Sequence, residues 1–316
     1  MSVGDLAQTL RETLRAKRKA LADDYVATPN ALLYLSGHAC LVDGVLARIW
    51  RQMDFPPDLA LAAVGGFGRG ELYPGSDVDL LILLPAEADA ALREKLARLV
   101  SLFWDIGLEV GHSVRTVAEC LAEAEGDITI QTALLECRLL IGNRVLYQDF
   151  QARFADRLDP RAFLAAKQLE QEARHQRYQD TPYSLEPNCK ESPGGLRDLH
   201  VIRWIARAAD YGDDWQTLKK RGLIGQDGYV HLQQCEHYLQ NLRVRLHLLT
   251  GRREDKLLFD HQEALARVMG VAAETDGARR PSEMLMQAYY RNAKRVTQLN
   301  TLLLQNIVVG LIPAVY

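Results

Sequence analysis

Several features are missing from this 316-residue sequence, and each absence closes off a class of protein. Charge of one sign is not in excess: 38 Lys and Arg stand against 41 Asp and Glu, a formal net charge of -3. The overall basic field that marks a general nucleic-acid binder is therefore missing, and only local basic pockets are left for anions. Cysteine is sparse. Cys40, Cys120, Cys137, Cys189 and Cys235 are odd in number, widely spaced and form no CxxC pair. That pattern excludes a disulfide framework and predicts reduced thiols in a cytoplasmic protein. No run of about 18 apolar residues occurs, and the first residues do not join a basic region to an apolar one, so the chain is expected to be unexported with no membrane partner. His38, His200, His231, His237, His247 and His261 lack metal-ligand spacing and are taken as structural. Repeats and low-complexity tracts are absent as well.

What is present is a large apolar fraction, 48%, enough for a real core and two or three domains. Leucines 6, 10, 14 and 21 recur near helical spacing, and a second helix is expected from the Thr28, Pro29, Asn30 cap region to about Met53. Residues 54–58, with two adjacent prolines, end it. A buried strand over 59–64, a second over 77–84, a helix over 86–106 closed by Gly107, and a third strand over 108–115 followed by a Thr116-capped helix make the middle mixed α/β. From 128 onward only helices are expected, at 128–141, 144–157, 161–179, 196–209, 229–250, 256–269 and 281–308. The turn-rich loop 181–195 interrupts them. The expected division is an N-terminal helical segment over 1–54, a catalytic domain over 55–150 and a helical domain over 151–316.

The stretch 64–84, VGGFGRGELYPGSDVDLLILL, is the one the rest serves. Side chains alternate along a strand, so Asp77 and Asp79 share a face while Val78, Leu80 and Ile82 face the core. Two carboxylates on one face suit hard cations such as Mg²⁺, which take oxygen ligands and can hold the attacking and leaving oxygens of a phosphoryl-type displacement. Gly65 and Gly66 follow a buried strand and let backbone N–H groups approach an anion, and a helix starting near Phe67 directs its positive end to the same place. A P-loop would need a Gly-Lys-Ser/Thr ending, and the dinucleotide fingerprint would need glycine at Glu71; neither is met.

Three long motifs in order, 64–81, LEVGHSVRT at 108–116 and EPNCKESPGGLRDL at 186–199, resemble the bacterial PII uridylyltransferase/uridylyl-removing enzymes, with HQRY at 175–178 and LLFD at 257–260 between and beyond them. The resemblance implies an α+β fold: a DNA polymerase β-like nucleotidyltransferase domain followed by an α-helical domain. It implies transfer of UMP from UTP to a tyrosine of the PII nitrogen-signalling protein, with release of pyrophosphate and Mg²⁺ or Mn²⁺ as cofactor. It places the metal ligands at Asp77 and Asp79 and the phosphate turn at Gly65 and Gly66, with Ser76 beside them. Glu109 is the candidate third carboxylate, or the base for the acceptor tyrosine, and equally a strand-end surface charge. His112 is expected to point away from Glu109 and to take either a core position or a supporting one behind the reacting groups, not a direct catalytic one. Arg69 is either a phosphate contact or an interface residue. Lys190 and Arg197 either cap the helix beginning near Leu196 or reach the nucleotide from the helical domain.

Gly-Gly-Leu-Arg-Asp also resembles an element of glutamine synthetase adenylyltransferase, and the residues around His112 favour the uridylyl branch. Asp260-His261 is in the wrong order for an HD hydrolase motif. Full-length members continue with an HD hydrolase domain and two glutamine-sensing ACT domains, so a shortened chain with neither UMP removal nor glutamine sensing is expected. Two rivals stay open at this point: an adenylyltransferase of the same fold, and a PII-binding module without catalysis.

Overall fold

The structure, a computed structural model, describes residues 3–178, 181–271 and 279–311. It forms two compact units, Met1–Leu158 and Asp159–Tyr316. The expected segments 181–195 and 281–308 fall within the described residues, whereas part of the predicted 161–179 helix end, residue 179, lies outside them.

The first unit opens with α1 (Val3–Ala27) and α2 (Ala31–Met53). Asn30 caps α2 by accepting from Leu33 N at 3.2 Å, so Pro29 precedes the cap instead of sitting in the first turn. Helix α2 is long and apolar enough to pass a membrane-span test on length and composition. Its Val42, Val45, Leu46, Ile49 and Trp50 instead lie in one cluster with Leu6, Leu10 and Leu14 of α1 and Leu61, Val78, Leu80 and Ile82 of the sheet. The helical pair is thus core material of this unit. The sheet runs β3-β2-β1-β4, with β1 (Ala60–Ala63) antiparallel to β2 (Val78–Leu84) and β4 (Arg138–Gly142), and β2 parallel to β3 (Val110–Thr116). Between them lie α3 (Gly65–Gly68), α4 (Ala90–Asp105), α5 (Val117–Gly126), α6 (Ile128–Leu135) and α7 (Arg144–Arg157). Thr116 and Glu119 form a full capping box at α5, as the sequence led us to expect of Thr116.

Strand β4 corrects the expectation of a helix over 128–141. Helix α6 stops at Leu135, and Arg138–Gly142 pairs with β1. A short apolar run such as Leu139, Leu140, Ile141 carries no period that separates strand from helix, and the unpaired side of β1 decides the outcome.

The second unit is helical: α8 (Pro160–Arg177), α9 (Leu196–Ala208), α10 (Trp215–Lys220), α11 (Gln226–Thr250), α12 (Phe259–Val268) and α13 (Pro281–Leu311). Asp159 caps α8 with Pro160 in its first turn. Helix α9 is central, with Leu199, Ile202 and Ile205 fully buried among Leu239 and Leu242 of α11 and Tyr289, Val296 and Leu303 of α13. Helix α10 was not anticipated; its six residues are too few to show a period, although Asp214 caps it through Thr217 N at 2.9 Å.

Candidate active site

Strand β1 ends at Ala63, and Val64 N donates to Asp79 O at 3.0 Å, tying the turn to the acidic strand. Gly65 takes a left-handed φ of +58°, which lets the chain turn straight into α3. Gly68 packs its backbone against α6; a Cβ there would lie 2.2 Å from Glu136 O. The turn then closes on itself through Glu71 N to Gly66 O, 2.9 Å.

Asp79 stands opposite Gly111 in the parallel β2/β3 register, so the two residues share a face. A Cβ on Gly111 would lie 2.5 Å from Asp79 Oδ1, and one on Gly65 would lie 3.4 Å from Asp79 Oδ2. The carboxylate is seated between two glycines, one from each neighbouring segment. Asp77, just before β2, is exposed, and Val78 N donates to Glu109 O at 2.8 Å, which sets Glu109 beside Asp77 at the open end of the sheet. The structure therefore gathers Gly65, Gly66, Asp77, Asp79 and Glu109 at one end of β2. Ser76 lies in the loop just before Asp77, its N–H on Tyr73 O at 3.1 Å. His112 is not a core residue as one reading expected: it shares a face with Val110 and Val114 but is exposed, on the edge strand β3.

Arg69 is held inside the unit. Its Nη1 donates to Glu136 Oε1 at 2.5 Å and its Nε to Glu71 Oε2 at 3.3 Å, with only 12% of its side chain exposed. Burial alone would lower its pKa, but Glu136 and then Glu71 outweigh that and raise it. A phosphate contact from Arg69 has to share the guanidinium with two carboxylates.

The loop between turn and acidic strand is braced from the N-terminal helices. Arg18 Nε donates to His38 Nε2 at 3.0 Å, so His38 carries its proton on Nδ1 and donates to Leu72 O at 3.1 Å. Burial, then Arg18, push His38 down to about 4. The structural role expected of this histidine has a definite object: the backbone leading to Asp77.

In the second unit Lys190 and Arg197 flank a rigid loop. Gly194, with φ +79°, comes so near α13 that a Cβ would lie 2.2 Å from Ala293 O, and Gly195 is similarly close to the carbonyls of Cys189 and Lys190. Asp198 is wholly buried and accepts from Gly194 N at 2.7 Å, Arg174 Nη2 at 2.6 Å and His175 Nε2 at 2.9 Å. The Gly-Gly-Leu-Arg-Asp element is thus a packed joint of this unit, with Lys190 and Arg197 at its rim.

Gly111, Glu136 and the Arg18–His38 brace escaped sequence reasoning. Only Gly111 left a signal there, as a lone glycine inside a strand pattern, which often marks a close approach.

Magnesium is commonly held by one or two carboxylates together with substrate phosphates. Asp77 and Asp79 supply such a donor set, hard oxygen only, with the Asp79 carboxylate already fixed between its glycines. Among the described residues no group of three or more His, Cys, Asp or Glu side chains forms a self-sufficient metal cage.

A glycine turn, an acidic strand and a mixed sheet define a nucleotidyltransferase, and residues 46–127 match the family described as Nucleotidyltransferase domain. Residues 162–304 match GlnD PII-uridylyltransferase. Among similar proteins, the bifunctional uridylyltransferase/uridylyl-removing enzyme of Aromatoleum aromaticum is 56% identical over 92% of this chain and 33% of its own length. Those of Nitrosospira multiformis and Cupriavidus pinatubonensis are each 50% identical, over 97% and 98% of this chain and 35% of their own lengths. Over most of its length the chain is thus similar to part of those enzymes, with a mixed α/β nucleotidyltransferase domain followed by a helical region. It spans about a third of the length of the curated relatives it matches.

Proposed function

We propose that the chain transfers UMP from UTP to a tyrosine hydroxyl of a PII nitrogen-regulatory protein, releasing pyrophosphate, in the cytoplasm. The observation that carries the reading is the Asp79 carboxylate seated between Gly65 and Gly111 beside Asp77. The names of the similar proteins support uridylyl transfer in particular. All five cysteines are free, in keeping with a reducing compartment.

In this reading residues 55–150 are the catalytic domain and 151–316 bind nucleotide and substrate. Asp77 and Asp79 would hold Mg²⁺ or Mn²⁺, which when bound would supply charge neutralisation for the phosphates. Backbone N–H groups at Gly65 and Gly66 face the triphosphate, with Ser76 at the same rim. Glu109 takes the proton of the tyrosine hydroxyl, and the hydroxyl oxygen attacks the α-phosphorus in line as the bond to pyrophosphate breaks. Lys190 and Arg197 contribute positive charge for nucleotide phosphates, and Arg69 stiffens the turn from below. Positioning and charge neutralisation supply most of the rate.

The test is transfer of label from α-labelled UTP to a purified PII protein. Label from UTP and none from ATP is expected; label from ATP alone identifies an adenylyltransferase, and PII binding without label identifies a non-catalytic module.

A further inference from the structure

Three cations converge on one carboxylate in the loop that enters α9. Arg197 Nη2 donates to Glu191 Oε1 at 2.9 Å and its Nε to Oε2 at 3.3 Å. Lys190 Nζ shares Oε1 at 3.3 Å, and Arg174 Nε stands 3.9 Å from Oε2. The loop is built to keep Glu191 there: Asn188 Oδ1 accepts from both Lys190 N and Glu191 N, at 3.0 and 2.8 Å, and Asn188 N donates to Ser192 Oγ at 2.9 Å. Arg197 is fixed on its other side by Trp204, whose ring centroid lies 5.2 Å away.

Cations outnumber anions at this rim. Asp198 is already engaged by Arg174 and His175, and Asp255 by Arg243 and His247, so Glu191 is the carboxylate that pairs directly with both Lys190 and Arg197, while Asp255 acts on Lys190 from farther off. The first N–H groups of α9 are used as well: Leu196 N donates to Cys189 O at 3.0 Å and Arg197 N to Lys190 O at 2.8 Å. An anion arriving here meets side-chain cations and not the helix terminus. Lys190 and Arg197 keep 15% and 24% of their side chains exposed, so the pair is reachable.

We propose that Glu191 is the positioning residue of a phosphate-binding cation pair: by drawing Lys190 and Arg197 onto one carboxylate it holds their remaining N–H donors in a fixed arrangement for a nucleotide phosphate. This rests on the reading of Lys190 and Arg197 as nucleotide contacts. A lysine is a compact point charge with rotatable donors and an arginine a planar fork, so a shared anchor is what makes the two act on one phosphate. The charged groups facing Lys190 are Arg197, Arg243, Glu191 and Asp255. Burial first, then Arg197 and Arg243, push its ammonium down to about 8, while Glu191 and Asp255 hold it up. Removing the Glu191 charge makes Lys190 lose its proton at a lower pH.

The experiment measures UTP affinity of the whole chain by calorimetry with Mg²⁺ across about pH 6–10. The parent chain is expected to lose affinity above about pH 8, where Lys190 deprotonates. Glu191→Gln should move that decline about one pH unit lower and weaken binding at neutral pH about tenfold. Lys190→Arg, which stays charged, should abolish the decline. A decline at the same pH in Glu191→Gln as in the parent chain overturns the proposal, and so does a decline that persists in Lys190→Arg, a variant that keeps the test decisive even where Glu191→Gln does not fold. Replacing both Lys190 and Arg197 by Met separates this idea from its parent reading. Unchanged UTP binding in that variant sinks the nucleotide role of the two cations; lost binding with Glu191→Gln matching the parent chain sinks only the role of Glu191.

Discussion

At Asp79 the carboxylate has a glycine on either side, and the room it occupies is the room two side chains would fill. Gly111→Ala puts a methyl 2.5 Å from Asp79 Oδ1, so the carboxylate has to turn away. The strand itself tolerates alanine, because Gly111 lies in an extended edge strand. Uridylyl transfer is therefore expected to fall about 100-fold, the scale of a misplacement near 1 Å, with a small change in thermal stability. Steady-state transfer and a melting curve on the same preparation check this; full activity in the alanine variant would mean that Asp79 is not held by its neighbours. His38 offers a second residue-level test. Its folded pKa, about 4, lies below the ordinary 6.5, so the unfolded chain binds the extra proton between those values. Its contribution to stability is complete above pH 6.5 and is lost as pH falls towards 4, a loss on the order of 3 kcal/mol. Denaturant unfolding at several pH values should show a shallower fall in His38→Asn, which keeps a donor for Leu72 O but does not titrate. That Asp77, Asp79, Gly65 and Gly66 lie close together was legible in the sequence, because a glycine turn before an acidic strand is local in the chain. Glu136 was not, because its pairing with Arg69 joins residues 67 positions apart.

Among the elements, the long helices were the readable part: α2, α9 and α13 carry enough turns for their apolar stripes to show. Strand β4 and helix α10 were not, one because its pairing with β1 is a long-range event and the other because a six-residue helix hardly repeats. The loop 181–195 reads as turn-rich in sequence, yet its Gly194 and Gly195 are fixed by what they touch. Gly194→Ala combines a left-handed backbone with a Cβ 2.2 Å from Ala293 O of α13. It is expected to destabilise the chain by about 3 kcal/mol, at the upper end of single substitutions, because neither backbone can give way cheaply. Equilibrium unfolding in urea measures it; a variant as stable as the parent chain would show that α9 and α13 can separate at that point. Asp198 makes the same element sensitive to acid. Burial raises its pKa, but His175 and Arg174 lower it further, so its folded pKa lies below the ordinary carboxylate value. Its stabilising share is present above the unfolded pKa and lost as pH falls through the folded one.

For the molecule as a whole, the near-neutral charge and the core role of α2 are consistent with the proposed recognition of nucleotide and protein through local sites. The two units carry different parts of the proposed chemistry: the first presents carboxylates and a glycine turn, the second a cation pair on a packed loop. The two parts were unequally legible. The acidic strand suggests the proposed metal site by residue type and spacing, whereas Lys190 and Arg197 are cations whose partner, Glu191, is visible only in three dimensions. Uridylyl transfer at Asp77 and Asp79 is tested most directly by label transfer from α-labelled UTP to a PII protein with the parent chain and with Asp77→Asn, Asp79→Asn and the double variant. Labelled PII is expected with the parent chain and at least about a thousandfold loss in each variant, with melting curves close to that of the parent. Transfer retained in the double variant would contradict transfer at these two residues.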